Sequence, residues 1–176
     1  TTARRPDNSS NHSPKLERKR DGLSTLYIRH PARGEGEHAL AQYALVADSG
    51  TIAQQGEGAL RNMADVVASS RKVVVMLAAS DVTLLQIKVP PLSTARLRVA
   101  LPGLVEEQVL GDPADLVLVP APVSAPDGTR TVAVVQRSWL EPIVKLLLDQ
   151  GAHGVSALPA QLCLQLEPGT VSGAIR

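Results

Sequence analysis

The pattern of apolar and polar positions in residues 23–77 changes from extended to helical and back. Three short apolar segments separated by turn residues predict an antiparallel meander. The predicted strands are 23–29, 42–47 and 51–55. Residues 59–69 then carry apolar side chains at helical spacing, which predicts a helix. The apolar strand 73–77 has no polar alternation, which is typical of a central parallel strand covered on both faces.

The rest of the chain predicts further strands and two longer helices. The predicted strands are 82–89, 116–119, 131–136 and 155–158, and the predicted helices are 94–110 and 138–150. Ser93 is suited to cap the first of these helices, and Pro102 inside it predicts a kink or a break. Ser138 and Glu141 have the spacing of a capping box at the start of the second helix, and Gly151 suits its end.

The order of these elements predicts an α/β fold with a mixed sheet. We expect the first strands to be antiparallel and the later ones parallel. The same order begins the ribonuclease H-like half of actin-like ATPases. We therefore expect a mixed sheet of the ribonuclease H-like, actin-like ATPase type, corresponding to its N-terminal half.

The charge distribution divides the chain into a basic start and a mildly acidic body. Residues 1–22 carry a net charge of +3, and residues 23–176 carry −2. Because the first segment is almost devoid of apolar residues, we expect a disordered tail. It would be a linker, a leader or residues added for expression, or else an arm that contacts anionic lipid or nucleic acid. We expect 23–166 to form the actin-like domain in part, and 167–176 to be a loop where the fold is cut off.

The composition narrows the range of ligands. With one Trp, two Tyr and no Phe, the chain offers few rings for stacking on bases, so we expect no nucleic acid partner. The single cysteine, Cys163, excludes an internal disulfide and a cysteine-based zinc cluster, and its leucine neighbours predict a buried side chain. The longest apolar run, 73–79, is far shorter than the roughly 20 residues of a membrane-spanning helix.

Nucleotide binding is the first chemical hypothesis to test, because actin-like folds often carry it. The loop 30–42 has no Asp-x-Gly-Thr order, and its Glu35 and Glu37 would repel phosphate. The segment 48–51 (DSGT) resembles a phosphate loop in composition but lies one hairpin later, where we expect an ordinary turn. His38 with the two glutamates could form only a weak surface cation site. We therefore expect no catalytic, cofactor-binding or metal-binding residues and no enzyme activity.

The surface of helix 94–110 is the remaining candidate site. Its basic residues lie near its start and its acidic residues near its end, which opposes the helix dipole at a cost of only about a few tenths of a kcal/mol per charge. Such charges are a hint that partner binding, rather than helix stability, selected them; ordinary surface charge is the alternative. The expected partner-binding residues are Arg96, Arg98, Glu106, Glu107 and Gln108.

Four segments of the chain resemble the cytoplasmic domain of protein L of the type II secretion system. They are LSTLYIR, RKVVVMLAASDVTLLQIKVPP, ARLRVALPGLVEEQVLGDPADLVLV and RTVAVVQRSWLEPIVKLLLDQGAHGVSALPAQLCL. The resemblance covers about residues 23–166, and the helix with Leu-Pro followed by Glu-Glu-Gln is its most distinctive part.

The resemblance implies an actin-like, ribonuclease H-type fold that does not hydrolyse ATP and needs no cofactor. It also implies a protein that crosses the bacterial inner membrane once and recruits the secretion ATPase, protein E, through its cytoplasmic domain. The transmembrane helix and periplasmic domain, which we expect to lie outside this chain, bind protein M and support dimerisation. We therefore expect a non-enzymatic adaptor at the cytoplasmic face of the inner membrane. The alternatives are an actin-like nucleotide-binding protein and a pilus-assembly scaffold of the same fold.

Overall fold

The computed structural model describes residues 24–36 and 38–164, which form two β-sheets covered by α-helices. The strands are β1 (Ser24–Arg29), β2 (Ala41–Ala47), β3 (Ile52–Gly58), β4 (Lys72–Leu77), β5 (Thr83–Lys88), β6 (Leu116–Pro120), β7 (Thr129–Gln136) and β8 (Val155–Pro159). The helices are α1 (Ala64–Ser69), α2 (Thr94–Val105) and α3 (Arg137–Asp149). The predictions for the tail 1–22, the loop 167–176 and the domain limits at 23 and 166 lie outside the described residues.

The first sheet has the strand order β3-β2-β1-β4-β8. β2 pairs antiparallel with both β1 and β3, so the predicted meander is confirmed. β4 pairs parallel with β1 and with β8, so the apolar strand is central and parallel, as its composition predicts. The helices α1 and α3 cover this sheet, and their side chains Val67 and Leu147 are fully buried in its core.

The second sheet has the order β5-β7-β6, and both of its pairings are antiparallel. The prediction that the later strands are parallel is therefore wrong for these three strands, which are inserted between β4 and β8. The segment that joins β6 to β7 contains turn residues that indicate a hairpin. Asp127 accepts hydrogen bonds from the backbone amide and the hydroxyl of Thr129, and Gly128 has a φ of +81°. Turn residues of this kind between two apolar segments favour a hairpin over a crossover.

Burial on both faces explains why β7 has the composition of a parallel strand. Val132 and Val134 lie in the core beneath α2, whereas Ala133 and Val135 pack against the core of the first sheet. Successive side chains of a strand point to opposite faces. The second sheet therefore lies between α2 and the first core, and an apolar run here reports two covered faces rather than parallel pairing.

Two clusters of buried side chains hold the fold together. The first core consists of Leu26, Ile28, Ala41, Met63, Val66, Val67, Val73, Val75, Leu77, Val82, Val135, Leu140, Ile143, Leu147 and Ala152. The second core consists of Ile87, Leu97, Leu101, Val105, Leu116, Val132 and Val134. Aliphatic residues fill both clusters, as the scarcity of aromatic residues predicts.

The N-cap of α3 lies two residues earlier than predicted, and the predicted capping box is absent. The N-cap is Gln136, which makes no side-chain capping bond, and Ser138 lies inside the first turn. Glu141 instead accepts a 2.8 Å hydrogen bond from the Arg137 guanidinium. The end is as predicted: Gly151 has a φ of +94°, and the amide that follows it donates to a carbonyl of the last turn, as in a Schellman motif.

Two other predictions of local structure were wrong. The segment 59–69 is a short 3-10 helix, Leu60–Asn62, followed by α1, rather than one continuous helix. Cys163 is exposed, although its leucine neighbours predict burial. Those neighbours, Leu162 and Leu164, are exposed as well, because this short 3-10 segment at the end of β8 contributes no buried residues.

Candidate functional site

Helix α2 is fixed to the second sheet by one apolar face. Leu97, Leu101 and Val105 recur every four residues and are each no more than 1% exposed, so they form a continuous buried stripe. Ser93 caps the helix, because its hydroxyl accepts a hydrogen bond from the Arg96 amide. An element anchored in this way holds its outward face in a defined position.

The helix ends earlier than predicted. α2 continues through Pro102 without a break and ends at Val105, and Glu106–Gln108 form a 3-10 turn rather than a further helical turn. Pro102 lies in the last turn and has no N–H to donate to the carbonyl four residues earlier, and the helix ends three residues after it. The predicted helix 94–110 is therefore a helix, a 3-10 turn and a loop.

The predicted partner-binding residues lie on this element, but they do not form one patch. Arg96, Arg98, Glu106, Glu107 and Gln108 are all exposed. Consecutive residues of a helix are about 100° apart, so Arg96 points directly away from the buried stripe and Arg98 lies on its flank. The acidic residues follow at the other end of α2. The element thus presents a basic end and an acidic end, with the outer face between them.

Two apolar side chains on this surface were missed by the sequence reasoning. Val99 is 84% exposed on the outer face of α2, and Leu110 is 96% exposed in the loop that follows the 3-10 turn. The position of Val99 could have been inferred, because it lies opposite the stripe that begins at Leu97. Single exposed apolar residues are common on protein surfaces, so these two add apolar contact area to this face without marking it as an interface.

The arginines of α2 differ from most other arginines of the described structure. The guanidinium groups that have a partner are those of Arg29, Arg71, Arg130 and Arg137. Within residues 24–36 and 38–164, no hydrogen bond or ion pair engages the guanidinium groups of Arg96 and Arg98, nor those of Arg33 and Arg61. The charges on α2 are therefore available to a partner without breaking an internal contact.

Three amides in the described part of the loop between β1 and β2 are engaged in hydrogen bonds. The amide of Arg33 donates to the Asp81 carboxylate at 2.9 Å, and the amides of Glu35 and Ala39 donate to carbonyls within the loop. A phosphate site needs amides that converge on empty space. These three amides are already engaged, and one of them holds a carboxylate.

The segment 48–51 forms the turn between β2 and β3. Gly50 has a φ of +83° and its amide donates to Ala47, while the hydroxyl of Ser49 donates to that of Thr51. Asp48 forms an exposed ion pair with Arg71 at 3.6 Å. These bonds are those of an ordinary hairpin turn, as predicted.

No group of three side chains suited to bind a metal occurs in the part of the chain that the structure describes. The weak cation site considered at His38, where no metal binding is expected, includes Glu37, which is outside the described residues. The single titratable group with a clear pKa shift is Asp127, within those same ranges. Hydrogen bonds from the amide and hydroxyl of Thr129 lower the pKa of its carboxyl, and this exposed group serves the β6–β7 turn.

None of the helices within residues 24–36 and 38–164 is both long and apolar enough to cross a bilayer.

No curated protein sequence matches the chain significantly. The family model described as "Type II secretion system (T2SS), protein L" matches residues 26–172.

Three solved structures are similar to the described fold. The cytoplasmic domain of EpsL, an inner membrane component of the type II secretion system of Vibrio cholerae, has a TM-score of 0.68 and 25% identity over 82% of this chain and 60% of that domain. The PilM–PilN type IV pilus biogenesis complex has a TM-score of 0.58 and 15% identity over 78% of this chain and 47% of that one. A Bacteroides thetaiotaomicron protein with an actin-like ATPase fold has a TM-score of 0.43 and 9% identity over 81% of this chain and 55% of that one.

The comparisons confirm the predicted fold class. The first sheet is mixed and carries helices, as expected of an actin-like α/β fold, and the EpsL domain shares this architecture. The chain spans less than two thirds of the solved chains it resembles.

Proposed function

The chain belongs to the protein L family of the type II secretion system, and on this premise we propose that it recruits the secretion ATPase, protein E, through the outer surface of α2. It acts as a non-enzymatic adaptor at the cytoplasmic face of the bacterial inner membrane. In the complete protein, a membrane span and a periplasmic domain contact protein M and support dimerisation. The observation that carries the proposal is the family match over residues 26–172.

The form of α2 supports its assignment as the contact surface. Three leucine and valine side chains bury one face, so partner binding on the opposite face does not compete with folding. The outer face carries Arg96 and the exposed Val99, and the acidic residues of the 3-10 turn follow. An apolar centre with charged ends suits a protein partner, because the apolar part contributes affinity and the charges contribute orientation and association rate.

The engaged amides of the β1–β2 loop support a role without nucleotide hydrolysis. An ATPase of this fold would need that loop to hold phosphate, and here it holds the carboxylate of Asp81. The secretion ATPase then supplies the energy for export, and this chain positions it.

Calorimetric titration of the chain with the N-terminal domain of its cognate secretion ATPase tests the proposal. We expect saturable one-to-one binding. Reversing two charges, Arg96→Glu with Arg98→Glu, should weaken it by about tenfold or more and reduce its dependence on salt, since charges at the rim of an interface act on association.

The matched control carries the same change of charge on another surface, Arg33→Glu with Arg61→Glu. The guanidinium groups of these two arginines also have no described partner, so neither pair of substitutions removes a described side-chain contact. The assignment to α2 requires that the control bind as the parent does. Unchanged binding in the α2 variant, or equal losses in both variants, would remove α2 from the interface, and a folded chain that releases no heat at all would contradict the adaptor role.

A further inference from the structure

A cleft of about 480 Å³ lies at the carboxyl ends of β1 and β3. It is bounded by the β1–β2 loop, by the residues that follow β3 and by the first turns of α3. Its volume is within the range of sites that bind small ligands and peptide side chains. The second sheet contributes none of its lining, so the cleft is separate from the α2 surface.

The floor of this cleft is apolar and held in place. Trp139, Ile143 and Leu146 of α3 line it, with Leu60 on the other side. Trp139 contacts the His30 ring edge to face, with the ring centroids 5.6 Å apart. His30 is itself fixed, because its Nδ1 donates a 2.8 Å hydrogen bond to the Pro31 carbonyl. Because the Trp139 and His30 rings are already held in one arrangement, they lose little conformational freedom when a ligand binds.

The rim of the cleft is basic. Arg33 and Arg61 line it from two different segments of the chain, and both are exposed. No acidic residue of the described structure lines the cleft, although Glu35 lines an adjoining depression and the Asp81 carboxylate accepts a hydrogen bond from the Arg33 amide. The two rim guanidinium groups belong to the set without a described partner, which comprises four of the eight arginines in residues 24–36 and 38–164. These guanidinium groups can therefore bind a ligand without losing a described contact.

The combination of rim and floor selects the class of ligand. A guanidinium group binds a carboxylate through two parallel hydrogen bonds, and the floor would bury an aliphatic or aromatic side chain. Polyphosphate is disfavoured, because the loop amides that would hold it donate to Asp81 and to carbonyls. We propose that the cleft binds an acidic peptide segment in which one large apolar side chain is flanked by carboxylates.

The only tryptophan of the chain is Trp139, so its fluorescence reports directly on the cleft. The probe is a short blocked peptide of alternating glutamate and leucine, titrated into the full chain. We expect a saturable change in emission. Peptides with serine in place of leucine, or with lysine in place of glutamate, should bind about tenfold more weakly or worse, because each loses one of the two contacts.

Two matched variants locate the site. Arg33→Gln with Arg61→Gln should weaken the peptide by about tenfold or more, whereas Arg96→Gln with Arg98→Gln, which removes the same charge from α2, should leave the affinity unchanged. Thermal melting establishes that each variant is folded.

Three outcomes would overturn the proposal. They are equal affinities in the parent and the cleft variant, equal losses in both variants, and no response from the folded parent at about 1 mM peptide, where even weak sites fill. ATP with magnesium is titrated in parallel. A saturable response to ATP in place of the peptide would make the cleft a nucleotide site and would equally contradict the inference.

Discussion

At the scale of single residues, Tyr43 and Gly56 form a cross-strand pair between β2 and β3. A methyl group added at Gly56 would lie 3.0–3.1 Å from the hydroxyl and ring of Tyr43. The ring therefore covers the backbone of the edge strand β3 at Gly56, which has no side chain. The side-chain amide of Gln54 donates to the Tyr43 hydroxyl and fixes the ring there.

This contact predicts that Gly56→Ala is destabilising. An alanine would displace the ring from its place against the first core, and we expect the free energy of unfolding to fall by about 1 kcal/mol, at the low end for overpacking. Gly34→Ala is the control, because nothing lies within 4 Å of its added methyl group. The control should be neutral or stabilising by up to about 1 kcal/mol, because alanine lowers the conformational entropy of the unfolded chain. Urea denaturation measures both, and equal changes would show that Tyr43 moves freely.

Residue-scale predictions were accurate where the cause is local. Ser93 caps α2 and Gly151 ends α3 because each acts on amides or carbonyls a few residues away. The capping box at Ser138 is absent because the helix begins before Ser138, with Gln136 as its N-cap, and Glu141 pairs with the Arg137 guanidinium instead. The cleft could not be predicted, since Arg33, Arg61 and Trp139 come to line one cleft only after the first sheet has formed.

At the scale of elements, the start of α3 is joined to the second sheet by one side chain. The Arg137 guanidinium donates to the carbonyls of Ala114 and Leu116, at 3.2 and 2.8 Å, as well as to Glu141. Those carbonyls lie where the chain enters β6. These hydrogen bonds therefore align α3, which packs on the first core, with β6, an edge strand of the second sheet.

We expect Arg137→Ala to lower the free energy of unfolding by about 1–2 kcal/mol, because two carbonyls lose a charged donor. Lys145→Ala provides the comparison within the same helix. Lys145 forms an i,i+4 ion pair with Asp149, as Arg137 does with Glu141, but has no described bond to a carbonyl. Exposed pairs of this kind contribute about 0.3–0.5 kcal/mol. Equal losses in the two variants, measured by urea denaturation, would mean that the carbonyl bonds add nothing.

The sequence pattern predicted the existence of these elements better than their pairing. Each predicted strand is present, and the residues predicted to bind a partner lie on α2 or in the turn that follows it. The predicted parallel pairing of β7 was wrong because it rested on the order of the elements, and the apolar run from Val132 to Val135 is compatible with either direction of pairing. Only the hairpin residues around Gly128 distinguish the two cases.

At the scale of the whole molecule, the two cores are coupled through β7. Val134 belongs to the second core and Val135, its neighbour, to the first, and α3 begins directly where β7 ends. Leu84 and Val117 from the flanking strands also pack against the first core. Loss of packing beneath α2 must therefore disturb the sheet that the first core rests on, and we expect the described fold to unfold as one unit.

Leu101→Ala tests this coupling, because Leu101 is 1% exposed and lies in the second core alone. We expect the free energy of unfolding to fall by about 2–5 kcal/mol, as for other buried leucines. Trp139 packs against the first core and is the only tryptophan, so its fluorescence follows that core while far-UV circular dichroism follows all elements. The urea midpoints from the two probes should shift together.

The exposed Val99 supplies the control on the same helix, and Val99→Ala should change stability by no more than about 0.5 kcal/mol. If Leu101→Ala moved only the dichroism transition and left the Trp139 transition in place, the second sheet and α2 would unfold independently of the first. A partner bound at α2 would then stabilise only the inserted sheet. If both transitions shift together, the described fold unfolds as one unit. A partner bound at α2 would then stabilise the whole fold, and the melting temperature measured by Trp139 fluorescence would rise.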